Sequence, residues 1–263
     1  MMAEDAYGDV GVAIDDDTFV ATVELHRPPN NFFDVDLISS LADAYDALDA
    51  DPRCRAIVLC AEGKHFCAGA DFSGRSSSKI VGEGGALDLY TEAARLFEAR
   101  TPVVAAVHGA AVGGGLGLAC AADFRVGSSE TRMTANFSRL GFHQGFALTV
   151  TLPDIVGQQK ANELLYTGRR INGEMAAEIG LLDRLVPVGD VRSGAAELAG
   201  EIASAAPLAV VAIRDTMRRG LVERVRAATA HEEAQQALLQ QSADFREGIV
   251  ASTERREPRF EGR

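Results

Sequence analysis

Two glycine-containing segments can do chemistry with backbone rather than side chains. The first is His65-Phe66-Cys67-Ala68-Gly69-Ala70-Asp71, and the second runs from His108-Gly109 through Ala110, Ala111 and Val112 to Gly113-Gly114-Gly115-Leu116-Gly117. Small residues leave amide N–H groups open to a ligand, and a helix begun without a side-chain cap presents its first donors, with partial positive charge, outward. The second segment leads into an apolar stretch over residues 118–122 that suits such a helix. Together the segments describe a pocket of amides split between residues 68–71 and 113–115, suited to a carbonyl oxygen. For either segment alone, tight turns and close packing account for the glycines equally well.

These segments need elements to aim them. Residues 18–25 are rich in β-branched and apolar types and stop at Pro28-Pro29-Asn30-Asn31, which reads as a strand entering a loop. From Asp36, apolar residues at 37, 41, 45 and 48 recur at helical spacing until Asp51-Pro52. Residues 56–60 and 103–107 are short continuous apolar runs of the kind that fill buried parallel strands. Each precedes one glycine segment, so both segments fall at strand C-terminal ends, the usual rim for ligands in α/β sheets. Residues 62–85 hold six glycines and three successive serines and read as a loop; a helix over about 87–99 follows. Residues 123–126 and 185–186 read as short strands, and 157–167, 173–180, 210–217 and 221–241 as helices, with Pro207 suited to a first helical turn. The class is α/β.

At 263 residues with 47% hydrophobic content the chain suits a single core. A net charge of −12 argues against nucleic acid as a partner, although local basic groups can still hold a phosphate. The four cysteines, Cys54, Cys60, Cys67 and Cys120, show no paired spacing and read as buried free thiols, with no metal site. An acidic N-terminus and the lack of any run of about 18 apolar residues lead to the expectation of a soluble, cytoplasmic protein without a membrane partner.

The residues that carry a family likeness are Phe66-Cys67-Ala68-Gly69-Ala70-Asp71, then Pro102-Val103-Val104-Ala105-Ala106-Val107-His108-Gly109 and Gly113-Gly114-Gly115. In these the chain resembles the crotonase, or enoyl-CoA hydratase/isomerase, superfamily, and the likeness extends over nearly its whole length. The resemblance implies a spiral of strand-strand-helix units over residues 1–200 and, within the same overall domain, a C-terminal helical trimerisation segment over 201–263. It also implies a homotrimer or dimer of trimers. The partner implied is an acyl-CoA or enoyl-CoA thioester, with coenzyme A entering as part of the substrate and no permanently bound cofactor. The family's oxyanion hole falls on the N–H groups of Ala68 and Gly114, with Gly69, Ala70, Asp71 and Gly115 lining the site. Lys64 is the local match to the family's coenzyme A contacts, with Arg27 and the cluster Arg255, Arg256 and Arg259 as further basic groups. Two such donors stabilise the negative charge that builds on a thioester oxygen when an enolate forms; losing one typically costs about 2.7–4 kcal/mol.

Hydratases of that family use two glutamates, two residues beyond the triple glycine and twenty further on, where this chain has Gly117 and Phe137. A third acidic position, used by some isomerases and by a dehalogenating branch, falls on Gly145. The nearest titratable group is His143, whose imidazole suits proton transfer or, equally, a structural contact. Tyr90 is a second polar candidate, and Phe137 and Phe142, with Phe146, give an apolar roof over the acyl group. The reading is an acyl-CoA enzyme of hydratase/isomerase type working through a stabilised enolate. Its alternatives are a catalytically silent acyl-CoA-binding oligomer subunit and a thioester or carbon-carbon hydrolase on the same scaffold.

Overall fold

The computed structural model describes residues 4–70 and 85–263. A seven-stranded sheet runs through the molecule in the order β1 (Glu4–Tyr7), β2 (Val10–Asp15), β3 (Val20–Leu25), β4 (Ala56–Ala61), β5 (Val103–Val107), β7 (Phe124–Gly127) and β10 (Arg184–Leu185). The first three strands are antiparallel; from β3 onward all pairings are parallel. A second sheet joins the short strands β6 (Ala110–Val112), β8 (Arg132–Thr134) and β9 (Ile171–Asn172).

The central parallel strands β4 and β5 are apolar throughout because both faces are covered. In β4, Ile57, Leu59 and Ala61 enter the main core, while Ala56, Val58 and Cys60 face helix α7 (Val191–Ala203) through Ala195, Leu198 and Ala199. In β5 the same alternation sends Val103, Ala105 and Val107 one way and Val104 and Ala106 the other. Helix α1 (Val35–Ala50) buries Leu37, Leu41, Tyr45 and Leu48, and its first turn is capped by Asp34, whose carboxylate accepts from Leu37 N at 3.0 Å. Helix α2 (Gly85–Arg95) lies beside α1 and places Leu89 and Tyr90 inward.

Each sheet-to-sheet step then repeats: a long-sheet strand, a short-sheet strand, a helix. The unit β5, β6 and α3 (Gly114–Ala121) shows it complete, and β7 with β8 begins the next, leading through a 3-10 turn (Asn136–Leu140) to α4 (Leu148–Val156). This is the expected strand-strand-helix spiral. After α5 (Gln158–Thr167) and α6 (Gly173–Glu178), the chain ends in α7, α8 (Pro207–Met217), α9 (Leu221–Leu239) and α10 (Ala243–Glu254). No single described helix is long and apolar enough to cross a membrane.

Several expectations are corrected. The acidic N-terminus, to which the sequence assigned no element, forms β1 and β2, since Val10, Val12 and Ile14 alternate into the core. The helix after the triple glycine starts at Gly114, not near 118, so the glycines themselves supply its first donors. α2 ends at Arg95 rather than near 99. In α4, Pro153 lies past the first turn and leaves the Thr149 carbonyl without its helical donor, and the helix stops soon after at Gly157.

Candidate functional site

Loop 66–70 is bound to β6 as a short extra strand. Phe66 N donates to His108 O (3.0 Å), Cys67 N to Ala110 O (3.1 Å), and Val112 N returns to Cys67 O (3.0 Å). This ladder fixes the two glycine segments side by side. Gly69 has φ +89°, and a Cβ there would lie 2.7 Å from Val112 O, so only glycine allows the approach. Gly115 is equally constrained, because a Cβ would meet the carbonyl of Cys67.

The fate of each amide follows from the same bonds. Ala68 N donates to Asn30 O at 2.9 Å, so this N–H is already spent and does not face a ligand. Ala70 pairs as an isolated bridge with Phe33, in which Phe33 N donates to Gly69 O (3.0 Å); the Ala70 N–H has no acceptor among the described residues. Across from it, Gly113 (φ +56°) caps α3 without a side-chain bond, Gly113 N donates to Thr134 O (2.9 Å), and the N–H groups of Gly114 and Gly115 meet no acceptor among the described residues. Of the expected donors, Gly114 keeps its N–H without an acceptor among the described residues and Ala68 does not; on the loop, the N–H left in that state is that of Ala70.

A cavity of about 270 Å³ opens from these amides. Ala68, Gly69, Ala70, Gly113 and Gly114 form one end. Phe33, Leu89, Phe137, Leu140, Phe142 and Phe146 make most of the rest, and Phe33 meets Phe146 edge-on with centroids 5.3 Å apart. The polar side chains lining it are Tyr90, Asn136, Gln236, Ser252 and Thr253; no carboxylate, histidine, lysine or arginine lines it among the described residues. Tyr90 is held neutral well above the usual phenol range, first by burial and then by the nearby Glu232.

The structure thus brings together Ala68, Gly69, Ala70, Gly114, Tyr90, Phe137 and Phe142 from the sequence expectations. Gly115 supports the site through its packing against Cys67. Asp71 lies outside the described residues. Lys64 is exposed and lines neither the cavity nor the cleft beside it. His143 does not line the cavity either: its Nδ1 lies 2.8 Å from Gln144 O, its ring packs edge-on against His231 at 5.9 Å, and burial lowers its pKa.

The acidic positions found vacant in the sequence are occupied in space. A Cβ on Gly117 would lie 2.6 Å from the Phe146 Cβ and 2.8 Å from its carbonyl oxygen. A Cβ on Gly145 would meet the Tyr90 hydroxyl and come within 2.6 Å of Gln236 Nε2. Phe137 lines the cavity itself. Sequence reasoning missed Phe33, Asn136 and Gln236, which are remote in sequence from the glycine motifs; only the residue just before Phe137 carried a positional hint.

An adjoining cleft of about 740 Å³ shares Ala68, Val112 and Asn136 with the cavity. It is lined by Arg132, Arg139, Arg169, Arg170 and Arg256, a local cationic concentration on an acidic protein. Of these, Arg139 pairs with Glu257 and Arg169 with Glu163, while Arg132 and Arg170 have no ion pair among the described residues.

A family model described as enoyl-CoA hydratase/isomerase matches residues 15–263. A crotonyl-CoA hydratase of Syntrophomonas wolfei is 33% identical over 246 residues, covering 92% of this chain and 94% of that protein. A carnitinyl-CoA dehydratase of Proteus mirabilis is 31% identical over 255 residues, with 93% and 95% covered. Among solved structures, an enoyl-CoA hydratase/isomerase from Pseudoalteromonas atlantica superposes with a TM-score of 0.84 at 29% identity, covering 97% of this chain and all of that one. Family model, relatives and fold agree with the paired glycine segments, and the chain belongs to the enoyl-CoA hydratase/isomerase family of the crotonase superfamily.

Proposed function

We propose that the chain binds an acyl-CoA or enoyl-CoA thioester with its carbonyl oxygen between the N–H groups of Ala70 and Gly114, and promotes chemistry through the enolate. The observation that carries this is the pair of unspent backbone donors at the end of an apolar cavity. In surroundings of low dielectric, charge-assisted N–H bonds to a developing oxyanion are stronger than in water, and the start of α3 adds its partial positive charge. The arginine-lined cleft suits the phosphates of coenzyme A, with the pantetheine arm passing Asn136 into the cavity.

Two-carboxylate hydration finds no support in this cavity, where aromatic atoms fill the space of the acidic positions. That same observation favours a second reading, an acyl-CoA binder that performs no turnover. The expected homotrimer or dimer of trimers is supported by α8. Its residues Leu208, Ile213 and Met217 are exposed, Leu208 86% and Met217 80%, and this is apolar surface that a second copy of the chain would cover.

A panel of acyl- and enoyl-CoA thioesters, titrated calorimetrically and incubated in deuterated water, tests the proposal. Binding with exchange of the proton next to the thioester supports the enolate reading. Binding without exchange or turnover across the panel supports the silent binder, and no binding overturns both.

A further inference from the structure

Tyr90, on α2, and Gln236, on α9, form a hydrogen-bonded pair in the cavity wall opposite Gly145. The donor and acceptor roles in this pair are fixed by its neighbours. Gln236 Nε2 faces two carbonyls, His143 O at 3.0 Å and Gln144 O at 3.3 Å, so the amide cannot be turned over without setting oxygen against oxygen. Its Oε1 must then accept, and the atom 2.6 Å away is the Tyr90 hydroxyl. The one proton of that phenol is committed to Gln236. What Tyr90 Oη can still offer a ligand is its acceptor capacity.

The surroundings make this polarity count. The cavity wall is otherwise dominated by Leu89, Phe137, Phe142 and Phe146. Gly145 is small where the pair needs space, because a Cβ would run into the Tyr90 hydroxyl and Gln236 Nε2. An acceptor in such a wall rewards a ligand donor and gives nothing to a carbonyl or a methylene.

We propose that the acyl group bound here carries a hydroxyl, whose O–H donates to Tyr90 Oη while the rest of the chain or ring packs among the phenylalanines. The inference rests on the thioester reading above and adds to it the class of acyl group. Tyr90 acts in it as a specificity residue, with Gln236 as the positioning residue that sets its polarity.

The test uses matched pairs of thioesters that differ by one hydroxyl: butyryl-CoA against 3-hydroxybutyryl-CoA, and 3-phenylpropionyl-CoA against 3-(4-hydroxyphenyl)propionyl-CoA, with acetoacetyl-CoA as a carbonyl analogue. Calorimetric Kd values are measured for the full chain and for Tyr90→Phe and Gln236→Leu. In the unmodified protein at least one hydroxylated ligand binds about tenfold more tightly than its partner. Tyr90→Phe brings that ratio to within about twofold. Gln236→Leu frees the phenol proton and narrows the preference for 3-hydroxybutyryl-CoA over acetoacetyl-CoA, an effect that loss of packing alone does not produce. Thioester binding with no hydroxyl preference, or a preference that survives in Tyr90→Phe, overturns the inference while leaving the thioester reading in place. If no thioester binds, both fall.

Discussion

Glu232 is fully buried on α9, and its carboxylate reaches across to the start of α4: Oε2 accepts from Ala147 N and Oε1 from Thr149 N, both at 3.0 Å. Phe146 and Ala147, the two residues it helps to hold, have φ of +58° and +59°, a left-handed conformation that costs non-glycine residues about 1–3 kcal/mol each. This turn sets Phe146 over Gly114 and Gly117. Burial pushes the Glu232 carboxyl up to about 7 from an ordinary 4.5, although both backbone bonds act to lower it.

A folded-state value above the unfolded one means the group favours the native state at low pH, and that this contribution is lost as pH rises from about 4.5 to beyond 7. At about 1.4 kcal/mol for each unit of difference, the loss is roughly 3 kcal/mol. Glu232→Gln cannot ionise, and it sets one amide NH2 against a backbone N–H, which costs about 1–3 kcal/mol at every pH. Urea unfolding should therefore show the variant less stable than the parent at pH 5, with the gap closed or reversed at pH 8. Other titrating groups are common to both proteins and cancel in the difference. Parallel stability curves across this range would refute the placement of Glu232 as a buried, reluctantly ionised clamp.

Other perturbations test the site's construction. Gly115→Ala places a methyl against the Cys67 carbonyl and separates the two amide segments; thioester binding measured by calorimetry should fall at least tenfold, and unchanged affinity would sink the paired-donor geometry. Gly117→Glu should destabilise the fold by about 1–3 kcal/mol through its clash with Phe146 and bring no gain in crotonyl-CoA hydration; a hydration rate above the parent's would show that the carboxylate finds room. Asp123 accepts from Val103 N at 2.8 Å and pairs with Arg214 and Arg218; although burial opposes ionisation, the two arginines hold its pKa below the usual value. Asp123→Ala should cost about 3–5 kcal/mol in chemical unfolding by leaving both guanidinium groups without their carboxylate, and the native contribution should persist above about pH 4 and fade below it.

Much of this architecture was legible from sequence because β4 and β5 are continuous apolar runs and their glycine segments follow at once. β4 and β5 were placed within a residue, as was the start of α1. The short sheet was not legible, since strands of two or three residues such as β6 and β9 carry no periodicity and exist only through their partners. Nor could sequence tell which loop amide is spent. Ala68 and Ala70 are chemically alike, and only the carbonyl of Asn30, 38 positions earlier in the chain, separates them. The same limit applied to His143, whose residue type suits proton transfer but whose ring turns toward His231.

The surroundings of Gly117 and Gly145 are not readable from the sequence alone. A small residue where a longer side chain could stand leaves a void unless a neighbour fills it, and packed interiors do not tolerate voids cheaply. Here both glycines at those positions are matched by an aromatic neighbour, Phe146 at Gly117 and the Tyr90 hydroxyl at Gly145, and Phe33 stands in the same way against Gly114 of the amide pair. The matching requires residues from α1's approach, α2 and the α4 turn to agree, and the turn is in addition held by a buried carboxylate on α9. Such agreement across four segments describes a wall shaped for an occupant. In the function proposed above, that largely aromatic wall keeps the thioester carbonyl in surroundings of low dielectric, where the N–H groups of Ala70 and Gly114 would act on it more strongly than in water. A water-adding reaction gains nothing from that arrangement; tight, polarising contact with a thioester does.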